Sequence, residues 1–137
     1  MNLLVNIDVD DLDRAVFFYS AAFDLRAARR LGDFCVEMLG AEAPIYLLQK
    51  AAGTVPAAGV SAGRDYRRHW TPVHLDFAVA DIAAAATRAV AAGARLEGEV
   101  QSHVWGDIAH LSDPFGHGIC LLQFRNDGYD EIAVTTP

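Results

Sequence analysis

All five histidines, His69, His74, His103, His110 and His117, fall in the second half of the chain. Their spacings give neither HxH nor HExxH, and Cys35 and Cys120 make no CxxC pair, so no compact metal-binding motif is written locally. His74 and Asp76 stand two residues apart in an alternating segment, which puts an imidazole and a carboxylate on one strand face. That pair suits hydrogen bonding to a substrate oxygen or general acid–base work. Cys120 is a nucleophile if a neighbour stabilises its thiolate, and otherwise a small buried hydrophobe. Tyr46, Tyr66, Trp70 and Trp105 are either cavity walls or core packing. Tyr66-Arg67-Arg68-His69-Trp70 is richer in chemistry than a connection requires, and reads as a cover over an anionic ligand or as a dimer contact. Asp10, Asp11 and Asp13 resemble a cation site, but helix capping and the helix dipole account for them.

The elements that position these residues are written twice. Val5-Asn6-Ile7-Asp8-Val9-Asp10-Asp11-Leu12 matches Leu75-Asp76-Phe77-Ala78-Val79-Ala80-Asp81-Ile82, and Ile45-Tyr46-Leu47-Leu48-Gln49 matches Ile119-Cys120-Leu121-Leu122-Gln123. Each unit opens on a half-buried strand, with Val5, Ile7 and Val9 or Val73, Leu75, Phe77 and Val79 on the apolar face. Asp11 and Asp81 then stand as N-caps of helices. Their apolar faces are Leu12, Ala15, Val16, Tyr19 and Phe23, and Ile82, Ala85, Ala86, Ala89 and Val90, with Gly93 as the second stop. Three shorter strands follow in each unit, around 25–30, 34–39 and 45–50, then around 95–100, 105–111 and 117–124. Asp113-Pro114-Phe115-Gly116 makes a turn before the last of them, and His117 reads as a turn residue. The units span 3–50 and 71–124 of one domain, joined by an Ala-, Gly- and Pro-rich linker, 51–70, and followed by a tail, 125–137.

Composition bounds the function. The 137 residues suffice for one domain, 53% are hydrophobic, and the net charge is −7. A single lysine and ten scattered arginines make no phosphate-tracking stripe, so nucleic acid and anionic membranes are excluded as expected partners. Two free thiols, no visible signal peptide and no membrane-length apolar run predict a cytoplasmic protein. Asn6, Asp8, His74 and Asp76 point away from the helix-covered face, either into a cavity or into a hydrogen-bonded network between the units.

A tandem βαβββ unit carrying Val9-Asp10-Asp11-Leu12-Asp13-Arg14-Ala15-Val16-Phe17-Phe18-Tyr19 and Asp113-Pro114-Phe115-Gly116-His117 resembles the vicinal oxygen chelate superfamily, which includes glyoxalase I, bleomycin-resistance proteins and extradiol dioxygenases. The resemblance covers about residues 3–124. It implies an α+β fold whose mixed, curved sheet forms an open cup with helices outside, and a homodimer that completes cups across its interface. It also places metal ligands at four positions, here Leu4, Tyr46, His74 and Cys120. Leucine cannot ligate, so the expectation is a metal-free and cofactor-free protein holding a small organic ligand, drug-like or an aromatic metabolite. The expected binding set is Asn6, Asp8, Tyr46, His74, Asp76 and Cys120. The alternatives are a lyase, isomerase or dioxygenase with an atypical metal or acid–base site around His74, and a structural or regulatory subunit that has lost its site.

Overall fold

The computed structural model describes residues 1–134. The first alternating segment forms β1 (Val5–Val9), and Asp11 turns it into α1 (Leu12–Phe23), its carboxylate accepting from the Arg14 N–H at 3.0 Å. The second half repeats this with β5 (Leu75–Ala78) and α2 (Ile82–Ala92), where Asp81 accepts from the Ala84 N–H at 3.0 Å. The first unit continues with β2 (Arg26–Leu31), β3 (Cys35–Leu39) and β4 (Ile45–Gln49). The second continues with β6 (Arg95–Leu96), β7 (Gln101–His103), β8 (Gly106–Ser112) and β9 (Gly118–Phe124). The α+β class and the order of elements in both units follow the sequence reading.

Four details differ from that reading. The strand expected around 95–100 is two short strands, both paired with β8, because Glu97-Gly98-Glu99 interrupts it and Gly98 takes φ +99°. Val73 is exposed, since β5 begins only at Leu75. The buried face of α1 is Leu12, Ala15, Phe18, Tyr19 and Ala22, with Val16 and Phe23 at its margin, and Val90 of α2 faces outward. The expected tail carries a short 3-10 turn at Gly128–Glu131, whose Tyr129 ring packs 5.2 Å from Trp105 and 4.9 Å from Phe124. Residues 135–137 of that tail lie outside the described residues.

The strands form two mixed sheets, β1-β4-β3-β2 and β5-β9-β8-β6 with β7 also on β8. In each, the first strand runs parallel to the last, with Asn6 opposite Tyr46 and Asp76 opposite Cys120. The two helices pack on each other and on their own sheets. Phe18, Tyr19, Met38, Leu47, Phe115 and Leu121 are fully buried in the layer between, and each such side chain contributes about 1.5–3 kcal/mol by leaving water. The units also join through stacked Phe23 and Phe77, 4.1 Å apart, and through the Tyr19 hydroxyl, which donates to Asp113 at 2.7 Å. Among the described residues no helix is long and apolar enough to cross a membrane.

β1 and β5 are edge strands, and they face each other across a gap. The 51–70 linker folds back on itself, Gly53 N–H donating to Arg64 and Arg64 N–H to Thr54. It then runs as a strap across the gap. Arg64 Nε donates to the Asp8 carboxylate at 2.7 Å, the Tyr66 hydroxyl donates to the Lys50 carbonyl at 2.7 Å, and the His69 N–H reaches the Gly116 carbonyl at 3.1 Å.

Candidate functional site

Strand register lines up polar side chains on the face of each sheet opposite its helix. Asn6, Tyr46 and Glu37 stand in one row across β1, β4 and β3; Asp76, Cys120 and His110 stand in the equivalent row across β5, β9 and β8. The internal repeat is therefore also a repeat of site positions.

In the second unit three of these groups converge. His74 Nε2 lies 3.1 Å from Asp76 Oδ1, both side chains a little over one third exposed, and Cys120 stands opposite Asp76 in the strand register. One donor atom from each of the three lies within 4.8 Å of the others. Burial pushes the Cys120 thiol up to about 11, and the Asp76 carboxylate adds to the rise. At neutral pH Cys120 is thus a thiol. Iodoacetamide at pH 8 should label it roughly two orders of magnitude more slowly than an ordinary cysteine. Asp76→Asn should speed that labelling, as read by peptide mass; equal rates would show that the carboxylate does not act on the thiol.

In the first unit Tyr46 is drawn into a different cluster. Its hydroxyl donates to Glu37 Oε2 at 2.8 Å, and Arg29 grips the same carboxylate through Nε at 2.9 Å and Nη2 at 2.5 Å. The Arg29 hydrogen bonds, then the Tyr46 hydroxyl, hold Glu37 down to about 2. A folded value below the unfolded one stabilises the fold at all pH above the unfolded range, and that stability is lost as pH falls from about 4.5 toward about 2. Glu37→Gln should flatten the acid limb of denaturant midpoint against pH in that window. A limb that keeps its slope in the variant would assign the acid sensitivity to other carboxylates.

The gap between β1 and β5 encloses about 500 Å3, walled by Val5, Ile7, Val73, Leu75 and Ile119, with Asn6, Asp8, Tyr19, Thr71, His74, His69 and His117 as its polar side chains. A pocket of about 80 Å3 lies on the other side of His74, among Trp70, His110 and Cys120. His74 belongs to both, and the Trp70 ring stands 5.9 Å from its imidazole. The six residues expected to bind ligand are thus divided. Asn6, Asp8 and His74 border the large cavity, Asp76 and Cys120 adjoin His74 beside the small pocket, and Tyr46 is held by Glu37. Asp8 borders the cavity with its carboxylate held by Arg64.

Other assignments shift as well. Trp105 stacks on His103, 5.0 Å away, and packs with Phe124 and Tyr129, outside both cavities. Arg67 pairs with Asp65 and Arg68 with Glu97, so the linker arginines are engaged within the chain. His117 joins the halves: Nε2 meets the Asp8 backbone oxygen at 2.7 Å and Nδ1 meets His69 Nε2 at 3.1 Å. The sequence carries no local signal for that role. For Glu37 it did carry one, a carboxylate in the otherwise apolar run Cys35–Leu39.

Of the four positions where the resemblance expects metal ligands, Leu4 has no donor and the Tyr46 hydroxyl serves Glu37, leaving His74 and Cys120. A hard divalent ion held by all four positions therefore does not fit this chain. The sulfur, nitrogen and oxygen donors of Cys120, His74 and Asp76 make a different, softer set.

A family model described as glyoxalase-like domain matches residues 4–122. An uncharacterized protein of Mycobacterium bovis is 31% identical, the match covering 90% of this chain and 84% of that one. One from Mycobacterium tuberculosis is 31% identical over 90% of this chain and 75% of its own. Among solved structures, the fosfomycin resistance protein FosX of Listeria monocytogenes superposes with TM-score 0.70 at 14% identity, covering 93% of this chain and 95% of that one. TioX of a Micromonospora species gives 0.68 at 19%, covering 91% and 99%.

Proposed function

From the premise that this chain belongs to the glyoxalase-like domain family, we propose that it is a small-molecule-binding protein whose ligand, drug-like or an aromatic metabolite, sits between the β1 and β5 edges. The observation that carries this reading is the cavity of about 500 Å3, apolar along its walls and with a few convergent polar groups. That is the size and character of a site for one small organic molecule. His74 is the polar anchor, as the group shared by the cavity and the Asp76–Cys120 cluster. A structural neighbour is a fosfomycin resistance protein, so the same fold elsewhere serves resistance to a small drug-like molecule. The proposal extends to a homodimer, checked by sedimentation.

The test is a thermal-shift screen of aromatic acids, phenols and phosphonates, with hits repeated on His74→Ala. The reading expects a ligand that raises the melting temperature of the parent and is lost by at least about tenfold in the variant, a loss of the size expected for one good polar contact. A hit that binds both proteins equally would move the ligand away from His74, and a screen without hits would sink the binding reading.

A second reading rests on the three donors within 4.8 Å of one another. A thiolate, an imidazole and a carboxylate, with an open position left, are a donor set for zinc. His74, Asp76 and Cys120 would hold it, and the ion would supply Lewis acidity to a ligand in the adjacent pocket. Elemental analysis of protein purified without chelator separates the two readings. Near-stoichiometric zinc that disappears in His74→Ala selects the second. Absence of metal after incubation with zinc, manganese, iron(II) and nickel leaves the first.

A further inference from the structure

The strap is tied down by a pair of imidazoles whose hydrogens can be counted. His117 Nε2 lies 2.7 Å from the Asp8 backbone oxygen, and His69 Nδ1 lies 2.8 Å from the Arg67 backbone oxygen. The two remaining ring nitrogens, His117 Nδ1 and His69 Nε2, face each other at 3.1 Å. A carbonyl oxygen only accepts, so both outer nitrogens must carry hydrogen. Two neutral imidazoles own two ring hydrogens between them, and both are then used at the outer positions. The inner nitrogens would be two lone pairs in contact. One added proton converts that repulsion into an N–H···N bond and gives the pair a single positive charge. A second added proton sets two N–H groups and two charges against each other.

From this count we infer that His69 and His117 share one proton, and that the strap is latched across the β1–β5 gap only in that singly protonated state. Raising the pH removes the bridging proton, and lowering it adds a repelling one, so the latch is tightest at an intermediate pH. Both rings border the cavity of about 500 Å3, so the latch gates that space. What passes the gate rests on the proposed binding function; the latch itself does not.

Most of the charges around the pair are already matched within the chain. From β1 and the linker, Asp8 faces it but is neutralised by Arg64, and Arg67 and Arg68 are matched by Asp65 and Glu97. The Tyr66 ring stands edge-on to His117 at 6.4 Å with its hydroxyl on Lys50, α1 contributes Tyr19, and the residue just before β5 is His74. From the turn before β9 comes Asp113, which accepts from the His117 backbone N–H at 2.9 Å. Its other hydrogen-bond partners, the Tyr19 hydroxyl and the Phe115 N–H, are neutral, and the one further charge that feels it is the Arg68 guanidinium, already paired with Glu97.

The test uses the full chain labelled with nitrogen-15. Imidazole nitrogen shifts between about pH 5 and 9 report which ring positions carry hydrogen. Exchange of the His69 amide, bonded to Gly116, reports the strap. The expected result is Nδ1–H on His69, Nε2–H on His117, coupled titration of the two rings, and an amide most protected relative to the unfolded-chain rate at intermediate pH. On either side, exchange relative to the unfolded-chain rate should be on the order of tenfold faster, the loss of one charge-assisted hydrogen bond. His117→Gln keeps an N–H for the Asp8 oxygen but has no proton to share, so its profile should be flat. His69→Ala, a linker change outside every strand and helix, removes the partner ring, so the coupled step should vanish from the His117 nitrogen shifts. Independent titration of the two rings in the parent, or a His69 profile unchanged in His117→Gln, overturns the inference.

Discussion

Asp113→Ala should cost about 3–5 kcal/mol of unfolding free energy at neutral pH, because it removes a buried and fully bonded carboxylate. The carboxylate is 5% exposed and fully committed: Oδ2 accepts from the Tyr19 hydroxyl at 2.7 Å, and Oδ1 from the N–H groups of Phe115 at 2.8 Å and His117 at 2.9 Å. Removing it leaves the Tyr19 hydroxyl without an acceptor inside the core and frees two donors of the turn that starts β9. Burial and Asp113 together keep the Tyr19 phenol well above its ordinary range, so it stays a donor at any working pH. Asp113→Asn retains an acceptor for the turn and should cost roughly half as much. Urea unfolding measures both, and a loss under about 1 kcal/mol in Asp113→Ala would show that the bonds joining the two units are dispensable.

The second large effect is expected at Gly116, and it is local. The residue holds φ +86°, and a Cβ there would sit 2.3 Å from the Arg67 carbonyl oxygen and 2.8 Å from that of Tyr66. Backbone this close cannot be relieved by a rotamer change, so Gly116→Ala pushes the strap off the turn. The same carbonyl of Arg67 accepts from His69, and the Gly116 carbonyl takes the His69 N–H, so both ties fail together. Trypsin should then cut after Arg64, Arg67 or Arg68 at least about tenfold faster, since cleavage follows the population of the open strap. Global stability should fall by only about 1–2 kcal/mol, the ordinary cost of a left-handed alanine. Gly59→Ala is the control: φ is +81°, yet nothing lies within 4 Å of its Cβ, so digestion of the strap should not change. Equal digestion of the two variants would mean that the strap is not seated on Gly116.

Much of the scaffold was legible because its signals are local. Alternation in Val5–Val9, the carboxylates of Asp11 and Asp81 one residue before each helix, and the doubled Ile-x-Leu-Leu-Gln strand all act within a few residues. The misreadings are also local in origin. Val73 and Val90 fit the apolar pattern but lie where no partner covers them, and two glutamates flanking Gly98 break a strand that composition alone joined. The site was less legible because its ties are remote. Asp8 meets Arg64 across 56 residues, Tyr19 meets Asp113 across 94, and His117 meets Asp8 across 109. His74 and Cys120 are ligand positions that the family resemblance implies, Asp76 shares the strand face of His74 by alternation, and the strand register brings the three together. Tyr46 stood at the matching position, but nothing in its neighbourhood showed that Glu37 would take its hydroxyl.

The glutamine that closes each last strand has a kinetic consequence. Gln49 Oε1 accepts from the Leu12 N–H at 3.3 Å, and Gln123 Oε1 accepts from the Ile82 N–H at 2.9 Å, so each helix receives one of its starting bonds from a strand 37 or 41 residues downstream. The local aspartate satisfies a neighbouring N–H as soon as the chain turns, but this second bond waits until β4 or β9 has docked in register. Helix nucleation in either half is thereby tied to closure of the same long loop that delivers the parallel strand. A half-made unit, with its helix formed and its final strand still free, is left with an unfinished helix start, which disfavours it against the completed cassette.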